Sequence, residues 1–366
     1  MKILQVVHSL SFGGAEKLSC DLALTLKPKY EFEIACLDKE GPLKTVLQEN
    51  GILSFCFWRR PGFDFSVAKN LARLYQSHDI DVVHAHQYAP FFYSVLGKSL
   101  SKKKPILIFT EHGRHQPDKV SLKHILFNRL ILSNVNHITG VSQFSKESLA
   151  KYEWIPFDRI QVIYNGVREN PVQYLESPSR ESLGVAADAI LVGCIGRFHR
   201  VKGQETLTKA FSQVARDFPK ARLIYVGSGE LLEENKNMAE LLGISSQVIF
   251  LGDRRDASGI MRILDVVVIP SISEACSLTL LDAMLSRRAI VATQTGGNPE
   301  ILGEEGSALQ VPPGDSKAMA DAISDLLKHD EKRKMMGGRA FQRVIRHYKY
   351  DDMVAAYERL YLGPHR

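Results

Sequence analysis

At 366 residues the chain exceeds what one ordinary hydrophobic core supports, so two domains are expected. Its 45% hydrophobic and 24% charged content is that of a globular enzyme and excludes a disordered or fibrous chain. No apolar run approaches the roughly 20 residues of a membrane span, and Met1 to His8 is too short and too soon broken for a signal peptide, so the expected location is the cytoplasm.

The first half alternates strand and helix. Lys2 to His8 reads as a strand leading through Gly13-Gly14 into a helix that opens at Ala15 and Glu16 and runs to about Lys27. Further strands are expected at Glu31–Leu37, Leu53–Trp58, Asp81–Ala85, Ile106–Thr110, His137–Val141 and Arg159–Tyr164, with helical patterns at Val67–Ser77 and Leu122–Ser133. This is the alternation of a doubly wound parallel sheet. Val167 to Ser182 carries Asn170-Pro171 and Ser177-Pro178 without a sustained period and reads as a hinge.

The alternation then restarts, with strands at Ala189–Ile195, Ala221–Val226, Gln247–Leu251, Asp265–Ile269 and Ala289–Thr293, and helices from about Lys202, Gly229, Asp256, Ser277 and Asp315. Two similar α/β domains facing a cleft are expected. At the end, Met353, Tyr357, Leu360 and Tyr361 share one face of a helix that either closes its own domain or returns to the first.

The charge and the cysteines narrow the partners. Residues 1–170 hold 22 Lys+Arg against 16 Asp+Glu, and the remainder holds 25 of each, so the whole net charge of +6 lies in the first half. That asymmetry suits an anionic membrane surface or a lipid-linked phosphate, although single clusters such as Lys102-Lys103-Lys104 read as a solvated loop. Cys20, Cys36, Cys56, Cys194 and Cys276 are scattered and odd in number, which fits reduced core thiols better than disulfides or a metal cluster.

Chemistry concentrates at strand ends. Ser271 to Met284 follows the apolar run Asp265–Pro270 and turns into a helix with Ser277 as its N-cap. Glu274 precedes the helix and Asp282 lies five residues inside it, so two carboxylates flank free N–H groups suited to a phosphate. A capped surface helix with early acids is an equally good reading of that stretch alone. Gly196, Arg197, Arg200, Lys202 and Gly203 set cations at another strand end, a pairing suited to a diphosphate. Gly227-Ser228-Gly229 and Gly252-Asp253-Arg254 are further glycine-bearing strand ends, where the missing side chains leave room for a base or ribose to approach backbone. Gly13-Gly14 opens a helix but lacks the third glycine of the dinucleotide fingerprint. His112 and His115 end a first-half strand around Gly113-Arg114. His84 and His86, at i and i+2, point the same way without further ligands to complete a zinc set.

Together these motifs resemble the retaining glycosyltransferases of family 4, with the GT-B fold, over nearly the whole chain. The residues carrying the resemblance are Gly13-Gly14 with Glu16, Asp81 to His86, Glu111-His112-Gly113, Asn165-Gly166-Val167, Gly196-Arg197 with Lys202-Gly203, Gly227 with Gly229, Glu274 with Asp282, and Thr295 to Glu300. The resemblance implies a first domain over 1–168, completed by a returning helix at 348–366, and a donor-binding domain over 169–347. It implies Glu274, His112, Arg197 and Lys202 as catalytic residues. Donor contacts would come from Gly14, Gly196, Arg197, Lys202, Gly252, Arg254, Glu274, Ala275, Cys276, Ser277, Leu278 and Asp282, with His84, His86 and Arg114 on the acceptor side. The implied donor is a UDP-sugar or GDP-sugar, the acceptor a glycan or lipid-linked group, and neither a metal, another cofactor nor a nucleic acid is called for. Peripheral attachment at the inner membrane face is the membrane option.

The sequence departs from the family pattern at three points. Ala275 and Ser277 stand where glycines are usual, Asp282 replaces the commoner Glu, and Arg168 follows Asn165-Gly166-Val167 where an acid is common. Other classes compete. Asp79-Ile80-Asp81 spells a metal-binding D-x-D but precedes its strand, a nicotinamide oxidoreductase lacks its fingerprint, and a nucleotide-sugar epimerase shares the architecture. The altered Ala275 to Ser277 segment also keeps a non-catalytic donor-binding subunit in view.

Overall fold

The computed structural model describes residues 1–113, 122–169 and 177–363. The chain divides into two compact units, one of Met1–Tyr164 joined by the segment from Met353 on, the other of Asn165–Asp352. Both are parallel sheets flanked by helices.

The first unit runs β1 (Lys2–Ser9), α1 (Gly14–Leu26), β2 (Glu31–Lys39), α2 (Leu43–Glu49), β3 (Leu53–Cys56), α3 (Phe65–Ser77), β4 (Val82–His86), α4 (Tyr88–Leu100), β5 (Ile106–Glu111), α5 (Leu122–Ile131), β6 (His137–Gly140), α6 (Gln143–Glu153) and β7 (Ile160–Val162). Its seven strands are ordered β3-β2-β1-β4-β5-β6-β7, all in parallel register. The sheet direction of growth therefore reverses between β1 and β4, where Gln5 lies opposite His84. Central strands buried on both faces explain the unbroken apolar runs that made them legible. On α3, Val67, Leu71, Leu74 and Tyr75 face the core, with Asp64 accepting from Ser66 N as its cap.

The second unit runs β8 (Ile190–Ile195), α7 (Gln204–Asp217), β9 (Ala221–Val226), α8 (Leu232–Leu241), β10 (Val248–Phe250), α9 (Ala257–Ile263), β11 (Val266–Ile269), α10 (Leu278–Leu285), β12 (Ala289–Thr293), α11 (Asn298–Leu302), β13 (Leu309–Val311), α12 (Ser316–Lys328) and α13 (Asp330–His347). The order β10-β9-β8-β11-β12-β13 reverses between β8 and β11. In an open α/β sheet the crevice at such a reversal, outside the carboxyl ends of the strands, is the usual ligand site.

The last helix, α14 (Tyr350–Leu362), contributes to the first unit from Met353 on. There Glu358 accepts from Lys29 Nζ at 3.0 Å and Tyr30 Oη at 2.9 Å. The dividing point falls at Asn165, ahead of the stretch read as a hinge, for a local reason. Asn165 Nδ2 donates to the Cys276 carbonyl at 3.1 Å, and Val167 pairs with Lys349 through Val167 N to Tyr348 O and Tyr350 N to Val167 O. Gly166 is pressed against Lys349 and Tyr350 backbone. Both connecting segments are thus tied to the second unit.

Elements the sequence reading passed over have plain causes. α4 opens Tyr88-Ala89-Pro90-Phe91, an apolar run without helical period, and buries Pro90, Phe91, Tyr93, Ser94, Val95 and Gly97. α13 is strongly polar, with only Met336, Gly337, Ala340, Phe341 and Val344 buried. β13 has three residues on a sheet edge.

Candidate functional site

At the reversal point of the second unit, the loop after β8 meets the loop after β11. Ile272 N donates to Val201 O at 2.8 Å. Gly203, at φ +66°, places the spot its Cβ would occupy against the Pro270 carbonyl, so only glycine lets the two loops close. Across this junction Lys202 Nζ lies 2.5 Å from Glu274 Oε1, and Ser271 Oγ donates to the same oxygen at 2.9 Å. The Glu274 side chain is 11% exposed and that of Lys202 32%. The pair is wet enough to exchange partners and dry enough for charge to count.

The backbone around Glu274 is fixed from behind. Gly297 N donates to the Glu274 carbonyl at 3.0 Å, and Gly296, at φ +54°, is packed so tightly on that carbonyl that a side chain has no room. Thr293 Oγ1 donates to Ser271 O at 2.6 Å and Thr295 Oγ1 to Ile272 O at 2.7 Å. The Thr295 to Glu300 motif is the buttress of the Glu274 loop.

Ala275, Cys276 and Ser277 are buried. The Ser277 hydroxyl accepts from Leu280 N as the cap of α10, and burial pushes the Cys276 thiol up to about 12, which rules it out as a nucleophile near neutral pH. Leu278 is the first residue of α10, and Asp282 lies one turn further along, partly exposed. Gly196, Lys202, Glu274, Ser277 and Thr279 line one small cavity. Arg197 is exposed beside it in sequence, its carbonyl holding Gln204 Nε2 at 2.9 Å. Neighbouring loops lock in turn: Gly227 N donates to Gly252 O at 2.7 Å and Phe198 N to Ser228 O at 2.8 Å, with Gly252 at φ +64°.

The reversal point of the first unit carries a different set. His86 Nε2 is 2.6 Å from Gln5 Oε1, Gln5 Nε2 donates to Tyr361 Oη at 3.0 Å, and Tyr361 Oη is 2.9 Å from His84 Nδ1. His84 Nε2 lies 2.7 Å from Thr110 Oγ1, Thr110 Oγ1 2.6 Å from Thr139 Oγ1, and Thr139 Oγ1 donates to Phe109 O at 3.3 Å. At the other end His86 Nδ1 is 2.9 Å from His112 Nε2. Burial lowers the pKa of all three imidazoles, to about 3 for His112, with neighbouring rings adding to the effect on His84 and His86. They are neutral rings at physiological pH.

Against known proteins, the family description Glycosyltransferase Family 4 matches residues 12–170, and Glycosyl transferases group 1 matches residues 176–343. The chain belongs to the family 4 glycosyltransferases. This glycosyltransferase is 25% identical to N-acetyl-alpha-D-glucosaminyl L-malate synthase of Bacillus anthracis over 317 residues, 84% of this chain and 81% of that one. It is 34% identical to D-inositol 3-phosphate glycosyltransferase of Corynebacterium urealyticum over 192 residues, 50% of this chain and 45% of that one. Its GT-B fold is shared with a glycosyltransferase of Rickettsia africae (TM-score 0.83, 21% identity, 98% and 97% of the two chains). Anabaena HepE in complex with UDP gives a TM-score of 0.82 at 24% identity, covering 98% of each chain.

Set in this glycosyltransferase, several expected contacts change character. His84 and His86 are fully buried, so neither ring meets an acceptor directly; they stand behind His112, which is half-buried. Arg114 and His115 lie outside the described residues. Arg254 forks onto Asp256 at 2.8 and 2.7 Å, so its guanidinium already has a carboxylate. Gly14 opens α1, and the Glu16 carboxylate folds over Gly13, bringing an internal anion to that helix end. Lys103 bridges Asp79 and Asp81 at 2.5 and 3.1 Å, and Lys104 holds the Lys98 and Ser99 carbonyls, so those two lysines have partners rather than solvent alone. Gln5, Thr110, Thr139 and Tyr361 went unnoticed as site residues. The one available signal was Gln5, a polar residue in the middle of an apolar strand.

Proposed function

We propose that this glycosyltransferase transfers a sugar from a UDP-sugar or GDP-sugar to a glycan or lipid-linked acceptor, with retention of anomeric configuration and without a metal, in cell-surface polysaccharide or glycolipid synthesis. The observation that carries the reading is the Lys202–Glu274 pair at a sheet reversal, ahead of a helix N-terminus. When a donor binds, its diphosphate takes Lys202 from Glu274, with Arg197 and the α10 N–H groups completing the anion site. Glu274 is released to sugar hydroxyls, and Asp282 takes the ribose. Departure of the diphosphate is then stabilised by fixed cations and N–H dipoles that need no rearrangement in the transition state. HepE, which binds UDP, supports the uridine form of the donor.

Thermal unfolding against UDP-, GDP- and ADP-sugars tests the donor. A ligand at 100 times its Kd adds about 2.7 kcal/mol, and Lys202→Ala is expected to abolish the shift; no shift with any nucleotide sugar sinks the reading. NMR of the product gives the anomer, and transfer that survives EDTA gives metal independence.

No helix among the described residues is long and apolar enough to cross a membrane. Peripheral contact with an anionic lipid surface is supported by Trp58 (61% exposed) and Phe63 (65%) beside the exposed Arg60, Lys69 and Arg73, an aromatic and basic set suited to the headgroup layer. Flotation with phosphatidylglycerol vesicles at low salt tests this, and a Trp58→Ser, Phe63→Ser variant is expected to stay at the bottom of the gradient.

A further inference from the structure

We infer that the Tyr361 hydroxyl, on the C-terminal helix, sets through Gln5 and His86 which nitrogen of His112 carries the proton, so that His112 presents a bare Nδ1 as acceptor for a substrate hydroxyl. The first half of this inference concerns the protein alone; the second rests on the function proposed above.

Gln5 decides the direction. Its Nε2 only donates and its Oε1 only accepts. His86 therefore gives its Nε2 proton to Gln5 Oε1 at 2.6 Å, which leaves Nδ1 of the neutral ring as an acceptor. The partner of that nitrogen, 2.9 Å away, is His112 Nε2, which must then donate, and a neutral His112 carries no second proton. On the other side of Gln5, Tyr361 Oη accepts from Nε2 and passes its own proton to His84 Nδ1. His84 Nε2 then donates to Thr110, Thr110 to Thr139, and Thr139 to the Phe109 carbonyl.

Every proton in the relay points from His112 towards that carbonyl. Turning the Gln5 amide over reverses them all and costs one bond, because the single Thr139 proton then goes to Thr110 and the Phe109 carbonyl loses it. The backbone carbonyl is an acceptor only, so it anchors the polarity. Among the described residues His112 Nδ1 has no hydrogen-bond partner, and the ring is half-buried rather than sealed. An imidazole in this form takes a hydrogen bond from a hydroxyl and offers nothing to a phosphate oxygen.

Gln5, His86 and Tyr361 are thus positioning residues, separated from any ligand by the His112 ring. Long-range 1H–15N correlation on histidine-labelled protein, with His112→Gln to assign the ring, reads the tautomer directly. A bare Nδ1 and protonated Nε2 in the wild type are expected; a protonated Nδ1 overturns the inference whether or not the enzyme transfers sugar. Tyr361→Phe keeps the ring and removes the hydroxyl. It is expected to convert His112 to mixed tautomers and to lower kcat about tenfold, the worth of one hydrogen bond, with KM little changed. Tyr30→Phe removes a hydroxyl that holds the same helix through Glu358 but lies outside the relay, and should leave the His112 signals as they are. Thr139→Val should behave like Tyr361→Phe, and Thr139→Ser should restore the wild-type spectrum. An unchanged His112 spectrum in Tyr361→Phe, or the same change in Tyr30→Phe, assigns the hydroxyl to packing alone and overturns the inference. If the tautomer behaves as stated but no variant alters transfer, the relay stands and the contact of His112 with substrate falls.

Discussion

At the sheet reversal of the second unit, Lys202 faces Glu274 across 2.5 Å; at the reversal of the first, His86 faces Gln5 across 2.6 Å. The strand order around the two points is the same, yet one holds a charged pair and the other a chain of neutral groups. The charged pair is partly open, and each member is satisfied by a partner that a ligand can replace. The neutral chain is closed: each buried donor meets an acceptor within the unit, so it orients a ring without adding charge beside it. The second unit thus presents a charged pair partly open to solvent, the first a fixed orientation.

Glu274→Gln breaks that contrast most sharply. It keeps shape and removes charge from the exchanging pair, and the expected loss in kcat is about 10³-fold, at the upper end for one electrostatic group. Initial rates with the donor that gives the largest thermal shift measure it, with circular dichroism to show an intact fold. A rate within tenfold of wild type would place Glu274 outside the chemistry.

The same contrast explains what the sequence disclosed. Lys202 and Glu274 were legible because charged residues in loops that follow apolar strands mark the carboxyl ends of a parallel sheet, and the sheets were legible because buried parallel strands are unbroken apolar runs. The relay was not. Gln5 and Tyr361 stand 356 positions apart, and a hydrogen bond between neutral side chains leaves neither a charge nor a period in the sequence. His84 and His86 were visible but placed on the acceptor side, since alternation along a strand gives the shared face and not what covers it. What covers it is α14, whose Tyr357 and Tyr361 rings pack on His84 at 5.2 and 5.7 Å.

Acid probes the neutral chain. Burial depresses the folded pKa of His84, His86 and His112 below the usual histidine value, so the unfolded chain binds more protons once pH falls below about 6.5. The stabilisation is complete above that pH and is lost progressively as pH drops towards the folded values, at up to about 1.4 kcal/mol per proton per pH unit. Urea midpoints at pH 7.5, 6.0 and 5.0 should fall with a slope of more than one proton, and a flat profile would mean that the rings are charged in the fold.

Gly296→Val probes the support of the charged pair. The residue sits at φ +54° with the Glu274 carbonyl where a side chain would go, so strain and displacement together should cost about 2–3 kcal/mol in stability. Because the buttress holds the Glu274 loop itself, transfer should fall further than global stability predicts. If activity follows only the folded fraction, the Thr295 to Glu300 segment serves the fold and not the site.

The smallest effect is expected at the amino edge of the first sheet, away from both reversal points. Lys103 bridges Asp79 and Asp81 there, but Asp79 is 84% exposed and Lys103 31%, and exposed pairs contribute little because solvent screens them and long side chains lose freedom in holding them. Lys103→Ala should cost less than about 1 kcal/mol and leave transfer unchanged. It also takes the lysine away from both carboxylates of the D-x-D sequence, leaving Asp81 with the Lys2 N–H at 3.0 Å, which makes it a check on where chemistry resides. Activity gained with Mn²⁺ in this variant would show that the amino edge can be recruited to a metal. Unchanged, metal-indifferent transfer would leave the carboxyl edges, with their charged pair and their neutral relay, as the working surfaces.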